Sequence, residues 1–323
     1  MTMQSFEWVD ARSIEEAAAL LAGSSEDAPV VAKAGGMDLL DLMKEGIVRP
    51  ARVVNLRPIS ALEDLRLDTT GMQLGALVTL ARIERDPGIR SHYRALAEAA
   101  AHAATPQVRN AATIGGNLLQ RTRCWYFRNH HFHQFAKANH GEHQHHAIFD
   151  NERTLMVHAS TPATALVAYD ASVHLTSNGG SSRTVSLKDF LLPPDMERDR
   201  DTAMADGEIL THISVPPIQA NTRCAYHKQT ERDSYDWPIC DAAVVLRMDG
   251  DTVADARIVL GWVAPTPYRP IESENVLIGR TLDERSAEDA ALAAVRSATP
   301  LARNAYKVDI LRVVLKRTLL AAR

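Results

Sequence analysis

Cysteine is scarce. Cys124, Cys224 and Cys240 are the only three in 323 residues, too few and too scattered for a disulfide framework, so a reducing, cytoplasmic setting fits best. There is no basic surplus either. Lys and Arg total 36 against 40 for Asp and Glu, a net charge of −4, which argues against a nucleic-acid partner. No apolar run approaches the roughly 18–20 residues of a membrane helix. The opening MTMQSFEWVDARSIEEAAALL lacks the basic start and apolar stretch of a secretory signal, and no internal repeat is visible. What is present is ordinary for a globular chain, 46% apolar and 24% charged, long enough for roughly two domains.

Punctuation divides the chain into three blocks. In residues 1–58, strand and helix signals alternate, the mark of a small α/β unit. Ser13 with Glu16 forms a capping box ahead of an amphipathic helix. A short strand at 29–32 breaks into Lys33-Ala34-Gly35-Gly36, and the helix from Leu39 ends at Gly46. The second block, 59–218, predicts strands at 72–78, 171–176 and 211–215, an alanine-rich helix from Leu96 stopped at Thr105-Pro106, and a helical turn at 163–168. Pro216-Pro217 reads as a linker. In 219–323, strands at 225–229, 242–248 and 254–261 precede helices at 286–298 and 304–322, with Asp249-Gly250 as a hairpin turn. Strands followed by helices predict a separate α+β domain.

Two segments carry the chemistry: Ala34-Gly35-Gly36-Met37-Asp38-Leu39 and Ala112-Thr113-Ile114-Gly115-Gly116-Asn117. Paired glycines allow consecutive N–H groups to face one concavity, a nest for phosphate oxygens, and the first pair stands where a helix begins. One diphosphate between two such turns is a coherent design. A Gly-Gly turn alone is more often plain structure, and neither segment is a dinucleotide fingerprint or a phosphate-binding P-loop.

The series AGGMDLLDLMKEG (34–46), GALVTLARI (75–83), TPQVRNAATIGGNLLQRTRCWYFR (105–128), KQTERDSYDWPICDAAV (228–244), VLGWVAPTPYR (259–269) and NAYKVDILRVVLKRTLL (304–320) resembles the FAD-binding medium subunit of the molybdenum hydroxylases. That family includes xanthine dehydrogenase, carbon monoxide dehydrogenase and aldehyde oxidoreductase. The resemblance covers nearly the whole chain, and TIGGNLLQR is its most specific part. It implies an α+β chain: a two-part α/β FAD-binding domain of the vanillyl-alcohol-oxidase type, then a C-terminal domain with a three-stranded sheet and helices. It implies FAD as cofactor, with Lys33, Ala34, Gly35, Gly36, Met37, Asp38 and Leu39 as the first diphosphate loop. Thr105, Thr113, Gly115, Gly116, Asn117 and Gln120 would form the second wall. His158-Ala159-Ser160-Thr161 resembles a segment whose acidic residue helps hold the cofactor; here Thr161 stands at that place. Lys228 resembles a lysine near the flavin, where a cation would stabilise the reduced ring; a solvated strand lysine is the plain alternative. Trp237 falls where an aromatic shields the ring, although tryptophan is as often core.

Departures are as informative. The branch of the family nearest RTRCWYFR carries a four-iron cluster on four cysteines in an insertion at about 122–158. Only Cys124 remains, with Gln134, Thr154 and the stretch near Asn139 at the other places, so the cluster is expected to be absent. In its place stand His130, His131, His133, His140, His143, His145 and His146, seven of 13 histidines within 17 residues. A polar surface loop, a metal site using His143 and His146, and an active-site base are three readings of it; no metal ligand set is assigned. Met37 replaces a small hydroxyl residue, and Trp262 replaces the second glycine of VLGGVAP, filling space near the flavin or lying on the surface.

The leading expectation is an FAD-binding oxidoreductase subunit. It would pass electrons between partners, a molybdopterin-binding large subunit and a 2Fe-2S small subunit, and an external acceptor. The alternative is a stand-alone FAD-dependent oxidase or monooxygenase acting on a small molecule, with His227, Tyr235, Asp236 and the loop histidines as acid–base candidates but no catalytic residue singled out. A flavin-free binding protein is a third class.

Overall fold

The computed structural model describes residues 4–129, 142–194 and 200–323. His130, His131, His133, His140, Gln134 and the Asn139 stretch lie outside the described residues.

The N-terminal part is a parallel sheet of three short strands, β1 (Glu7–Asp10), β2 (Val30–Lys33) and β3 (Arg52–Asn55), ordered β1-β3-β2. Strand β1 was not anticipated; its four residues show too little apolar alternation to declare it. Helix α1 (Ile14–Ala22) begins where Ser13 Oγ accepts from the Glu16 amide at 3.1 Å. The Glu16 carboxylate turns back to the Arg12 amide, 2.7 Å away, so the expected box closes one residue early. Helix α2 (Leu39–Lys44) follows the first glycine turn, and Gly46 at φ 70° ends it. Ala17, Ala18 and Leu21 of α1 pack with Val54 and Leu56 in a small core.

The central sheet is antiparallel, made of β4 (Leu65–Asp68), β5 (Gly71–Gly75), β6 (Ser172–Thr176), β7 (Ser182–Ser186) and β8 (Ile209–Val215), ordered β4-β5-β8-β6-β7. Between β5 and β6 run α3 (Leu80–Arg85), α4 (Pro87–His92), α5 (Arg94–Ala101), α6 (Pro106–Ala111), α7 (Ile114–Leu118), α8 (Trp125–Arg128) and α9 (Thr161–Ala168); α10 (Leu187–Phe190) follows β7. The alanine run makes α5 slim, so it lies flush in the largest core, with Ala95, Leu96, Ala99 and Ala100 fully buried.

The C-terminal sheet is a meander of β9 (Thr222–Gln229), β10 (Cys240–Asp249) and β11 (Thr252–Gly261), ordered β11-β10-β9, with Gly250 at φ 59° in the hairpin turn. Helices α11 (Ile271–Leu277), α12 (Glu284–Val295) and α13 (Tyr306–Ala321) complete it. Leu311, Leu315 and Leu319 of α13 pack on Val244 and Leu246 of β10, each stabilising by about 1.5–3 kcal/mol through burial. Helices α5 and α9 pack against this sheet. There Thr164 Oγ1 donates to Asp241 Oδ1 at 3.0 Å, and Tyr226 Oη donates to Asp241 Oδ2 at 2.8 Å. Burial pushes the Asp241 carboxyl up to about 7. No helix among the described residues is long and apolar enough to cross a membrane.

Candidate cofactor site

The first glycine turn leaves β2 and runs into α2. Gly35 passes so close to the end of α6 that a Cβ there would lie 2.1 Å from the Ala111 carbonyl oxygen, and Gly36 holds φ 80°; both demand glycine. Among the described residues, the N–H groups of Gly35, Gly36, Met37, Asp38 and Leu39 donate to no acceptor within the chain. Beside them Lys33 Nζ lies 3.3 Å from the Ala34 carbonyl and 5.2 Å from the Trp8 ring centroid. Burial lowers its pKa, assisted by Arg57 and opposed by Asp10. Consecutive unpaired amides with an adjacent ammonium suit a diphosphate.

The second turn is built differently. Gly115 donates its N–H to Ala76 O at 2.9 Å, and Gly116 donates to Thr113 Oγ1 at 3.1 Å. The expected second row of free glycine amides is therefore missing, because Thr113 caps α7 and capping takes up the third amide. Glycine serves close approach at Gly115, where a Cβ would sit 2.8 Å from Ala76 Cβ; a Cβ on Gly116 would lie 3.1 Å from Thr113 Oγ1 and in ordinary contact, 3.8 Å, with Ala34 Cβ of the first turn. The two turns thus meet.

Between them lies a cavity of about 530 Å³, within the usual range for small-molecule sites. Lys33, Ala34, Gly35, Gly36, Met37, Asp38, Leu39, Thr113, Gly115, Gly116, Asn117, Gln120, Thr161 and Trp237 all line it. Thr105 and Lys228 are outside this lining. The Thr105 side chain caps α6 by accepting from the Val108 amide, and Lys228 Nζ donates to the His102 carbonyl at 2.7 Å.

Several side chains are already engaged. The Asp38 carboxylate accepts from the Arg121 amide at 2.9 Å, from Arg123 at 2.9 Å and from Arg128 at 2.7 Å. It is a clamp fixing the first turn to the 121–128 segment. Ser160 caps α9 and donates to Asn117 Oδ1 at 2.5 Å, Gln120 Nε2 donates to Asn117 O at 2.8 Å, and Thr161 Oγ1 donates to Ala99 O at 3.3 Å.

Sequence reasoning did not identify Ser160, Arg121 or Arg123 as parts of the site, nor the cavity lining from Leu77, Ala103, Glu208 and Leu210. Arg121, Arg123 and Ser160 stand inside the 105–128 and 158–161 segments, but their partners Asp201, Asp38 and Asn117 are set by the fold and not by local pattern.

Trp262 is buried, which removes the surface alternative, and it holds φ 61°, a conformation natural to glycine and costing a side-chain-bearing residue roughly 1–2 kcal/mol. Gly261 before it has no room for a Cβ, which would meet Asp241 Oδ1 at 2.0 Å. The Trp262 indole stacks with Trp237 at 6.4 Å and 22°. Both rings also border a second cavity, of about 1030 Å³. Tyr235 and Asp236 line this second cavity, whereas His227 lines neither.

In the former insertion, His143 and His146 are buried, so a simple surface loop does not describe them. Burial pulls the His146 imidazole down to about 4, assisted by His143 and Lys307, and His146 Nε2 lies 3.3 Å from Cys124 Sγ. Among the described residues no group of three or more metal-ligating side chains is assembled. Thr154 is a buried residue whose hydroxyl accepts from the Met156 amide.

Comparisons with known proteins agree with this geometry. Residues 4–218 match the FAD binding domain in molybdopterin dehydrogenase, and residues 225–322 match the CO dehydrogenase flavoprotein C-terminal domain. The chain is 31% identical to the aldehyde oxidoreductase FAD-binding subunit PaoB of Escherichia coli (strain K12), over 90% of each chain. It is 30% identical to the carbon monoxide dehydrogenase medium chain of Hydrogenophaga pseudoflava, over 98% of this chain and 96% of that one. A solved carbon monoxide dehydrogenase from the latter organism, lacking the Mo-pyranopterin moiety of its cofactor, superposes with a TM-score of 0.78 at 28% identity, covering 100% of this chain and 98% of that one. A glycine turn with open amides, a second turn closed upon it and chain-wide similarity to such subunits lead to one assignment: the chain belongs to the FAD-binding medium-subunit family of the molybdenum hydroxylases.

Proposed function

We propose that the chain holds FAD between its two glycine turns and passes electrons between a molybdenum and iron-sulfur partner and an external acceptor. The observation that carries this reading is that residues 35–39, whose amides find no acceptor among the described residues, line the same cavity as Gly115 and Gly116. FAD supplies a ring that accepts and releases electrons. The chain supplies the rest. Amides at 35–39 and Lys33 would hold the diphosphate, while Thr113, Gly115 and Gly116 would fix the opposing turn. Asn117, Gln120 and Thr161 would line the remaining wall, and Trp237 with Trp262 would shield the ring. Thr105 and Lys228 would act from behind that wall, by capping α6 and by fixing the His102 carbonyl.

Full-length similarity to named medium chains and FAD-binding subunits supports a subunit over a stand-alone oxidase. We take the partners to be a molybdopterin-binding large subunit and a 2Fe-2S small subunit, the setting to be cytoplasmic, and the working units to be 1–58, 59–218 and 219–323. The chain purified alone after incubation with FAD should show a flavin absorption spectrum, and tagged in its native host it should bring down molybdenum and iron-sulfur partners. A colourless protein would defeat the cofactor reading; a yellow protein that turns over a substrate alone would defeat the subunit reading.

A further inference from the structure

Lysine is rarely fully buried without a carboxylate partner. Lys307, near the start of α13, is 1% exposed and pairs with no carboxylate among the described residues. Its ammonium has three N–H groups and finds three carbonyl oxygens: Trp262 O at 2.7 Å, His146 O at 3.1 Å and His145 O at 3.3 Å. Burial lowers its pKa to about 8, opposed by Cys240, so at neutral pH the group keeps its proton and all three donors. The turn at 145–147 has a second anchor, because Asn304 Nδ2 donates to His146 O at 3.2 Å and to Ala147 O at 3.3 Å. The Trp262 carbonyl is different. The next two carbonyls, of Val263 and Ala264, accept main-chain amides of Ile148, Phe149 and His158, whereas among the described residues Trp262 O has Lys307 as its only donor. Nor does the indole hold itself in place, since Trp262 Nε1 is buried and finds no acceptor among the described residues.

We propose that Lys307 is a positioning residue for the cofactor site, its ammonium holding the Trp262 backbone at φ 61° so that the indole stays on the cavity wall, stacked with Trp237. Lys307 lines neither cavity and acts on the site through Trp262. Without the ammonium, the Trp262 carbonyl is buried with no donor, and a side-chain-bearing residue is released from a conformation natural to glycine. Both effects favour rotation of this segment, which carries the indole off the wall. Placing the indole is a property of the chain alone; its effect on the flavin rests on the function proposed above.

Tryptophan emission reads the placement directly, because Trp8, Trp125 and Trp237 are exposed and Trp262 alone of the four tryptophans is buried. Acrylamide quenching of the full chain without FAD should leave one shielded component. Lys307→Met, of similar length and without charge, should abolish that component with the far-ultraviolet circular dichroism unchanged. Asn304→Ala, which cuts only the tie to the 146–147 carbonyls, should keep it. With FAD added, Lys307→Met should bind flavin several-fold more weakly and leave the bound flavin brighter, as a quenching indole moves away. Introduced into a Trp262→Gly chain, the same substitution should change neither quantity. A folded Lys307→Met chain that keeps its shielded indole, equal loss of shielding in Asn304→Ala, or a flavin effect that persists in the Trp262→Gly chain would overturn the proposal. Should Lys307→Met not fold, Lys307→Gln, which keeps two N–H donors on a shorter stem, is read by loss of the same component; failure of both to fold would make Lys307 a support of the whole fold and overturn the proposal. Loss of shielding in a chain that takes up no FAD in any form would uphold the placement while sinking the function proposed above.

Discussion

The two glycine turns look alike in sequence and are physically unlike. In the first, Gly35 and Gly36 sit in a backbone whose amides, through Leu39, find no acceptor among the described residues. In the second, both glycine amides are consumed, by Ala76 O and by Thr113 Oγ1. One turn is therefore a grip and the other a seat: glycine removes bulk at Gly35 and at Gly115 alike, and only the first turn keeps its donors open. A repeated Gly-Gly pair does not by itself say which of these roles it plays. The acceptor that each amide finds decides it.

Substitutions that exploit this difference should have graded effects. Gly35→Ala drives a Cβ onto the Ala111 carbonyl at 2.1 Å and should destabilise by about 4 kcal/mol or more, with loss of flavin, as measured by denaturant unfolding and the absorption spectrum. Gly115→Ala meets Ala76 at 2.8 Å and should cost about 2–3 kcal/mol in the same assay, because the seat must shift back. Asp38→Asn removes the charge shared by Arg123 and Arg128. A loss of about 2 kcal/mol is expected, since Asp41 still faces both arginines. Thr113→Ala removes the α7 cap and should cost about 1 kcal/mol while freeing the Gly116 amide. If flavin titration then shows tighter binding, the second turn can be turned into a grip. Smallest of all, Met37→Ser on the exposed edge of the first turn should strengthen FAD binding by about 0.5–1 kcal/mol with unchanged stability.

Much of the fold was legible because its signals are local. Ser13 before an apolar-periodic run and Asp249-Gly250 between two alternating strands each depend on a few neighbours. The alanine run was legible as a helix but its end was not: α5 stops at Ala101, and Thr105-Pro106, expected to end it, caps and opens α6. Strand β1 was not legible because four residues carry no period, and α11 because its Ile271–Leu277 sequence is half charged or polar. The site divides the same way. The glycine pairs could be found from sequence, whereas the Asp38 clamp spans more than 80 residues and the Ser160–Asn117 bond spans 43; such pairings exist only after folding. Burial of Trp262 and of His143 and His146 was equally hidden, since nothing in a sequence states which side of a turn faces a cavity.

A crystal structure of the FAD-loaded chain would show which turn grips the cofactor, through the distances from the diphosphate oxygens to the main-chain nitrogens. Amides of 35–39 should lie within about 3 Å of those oxygens, with Gly115 and Gly116 still bonded to Ala76 and Thr113. Diphosphate held by the Gly115 and Gly116 amides, while those of 35–39 face solvent, would contradict it.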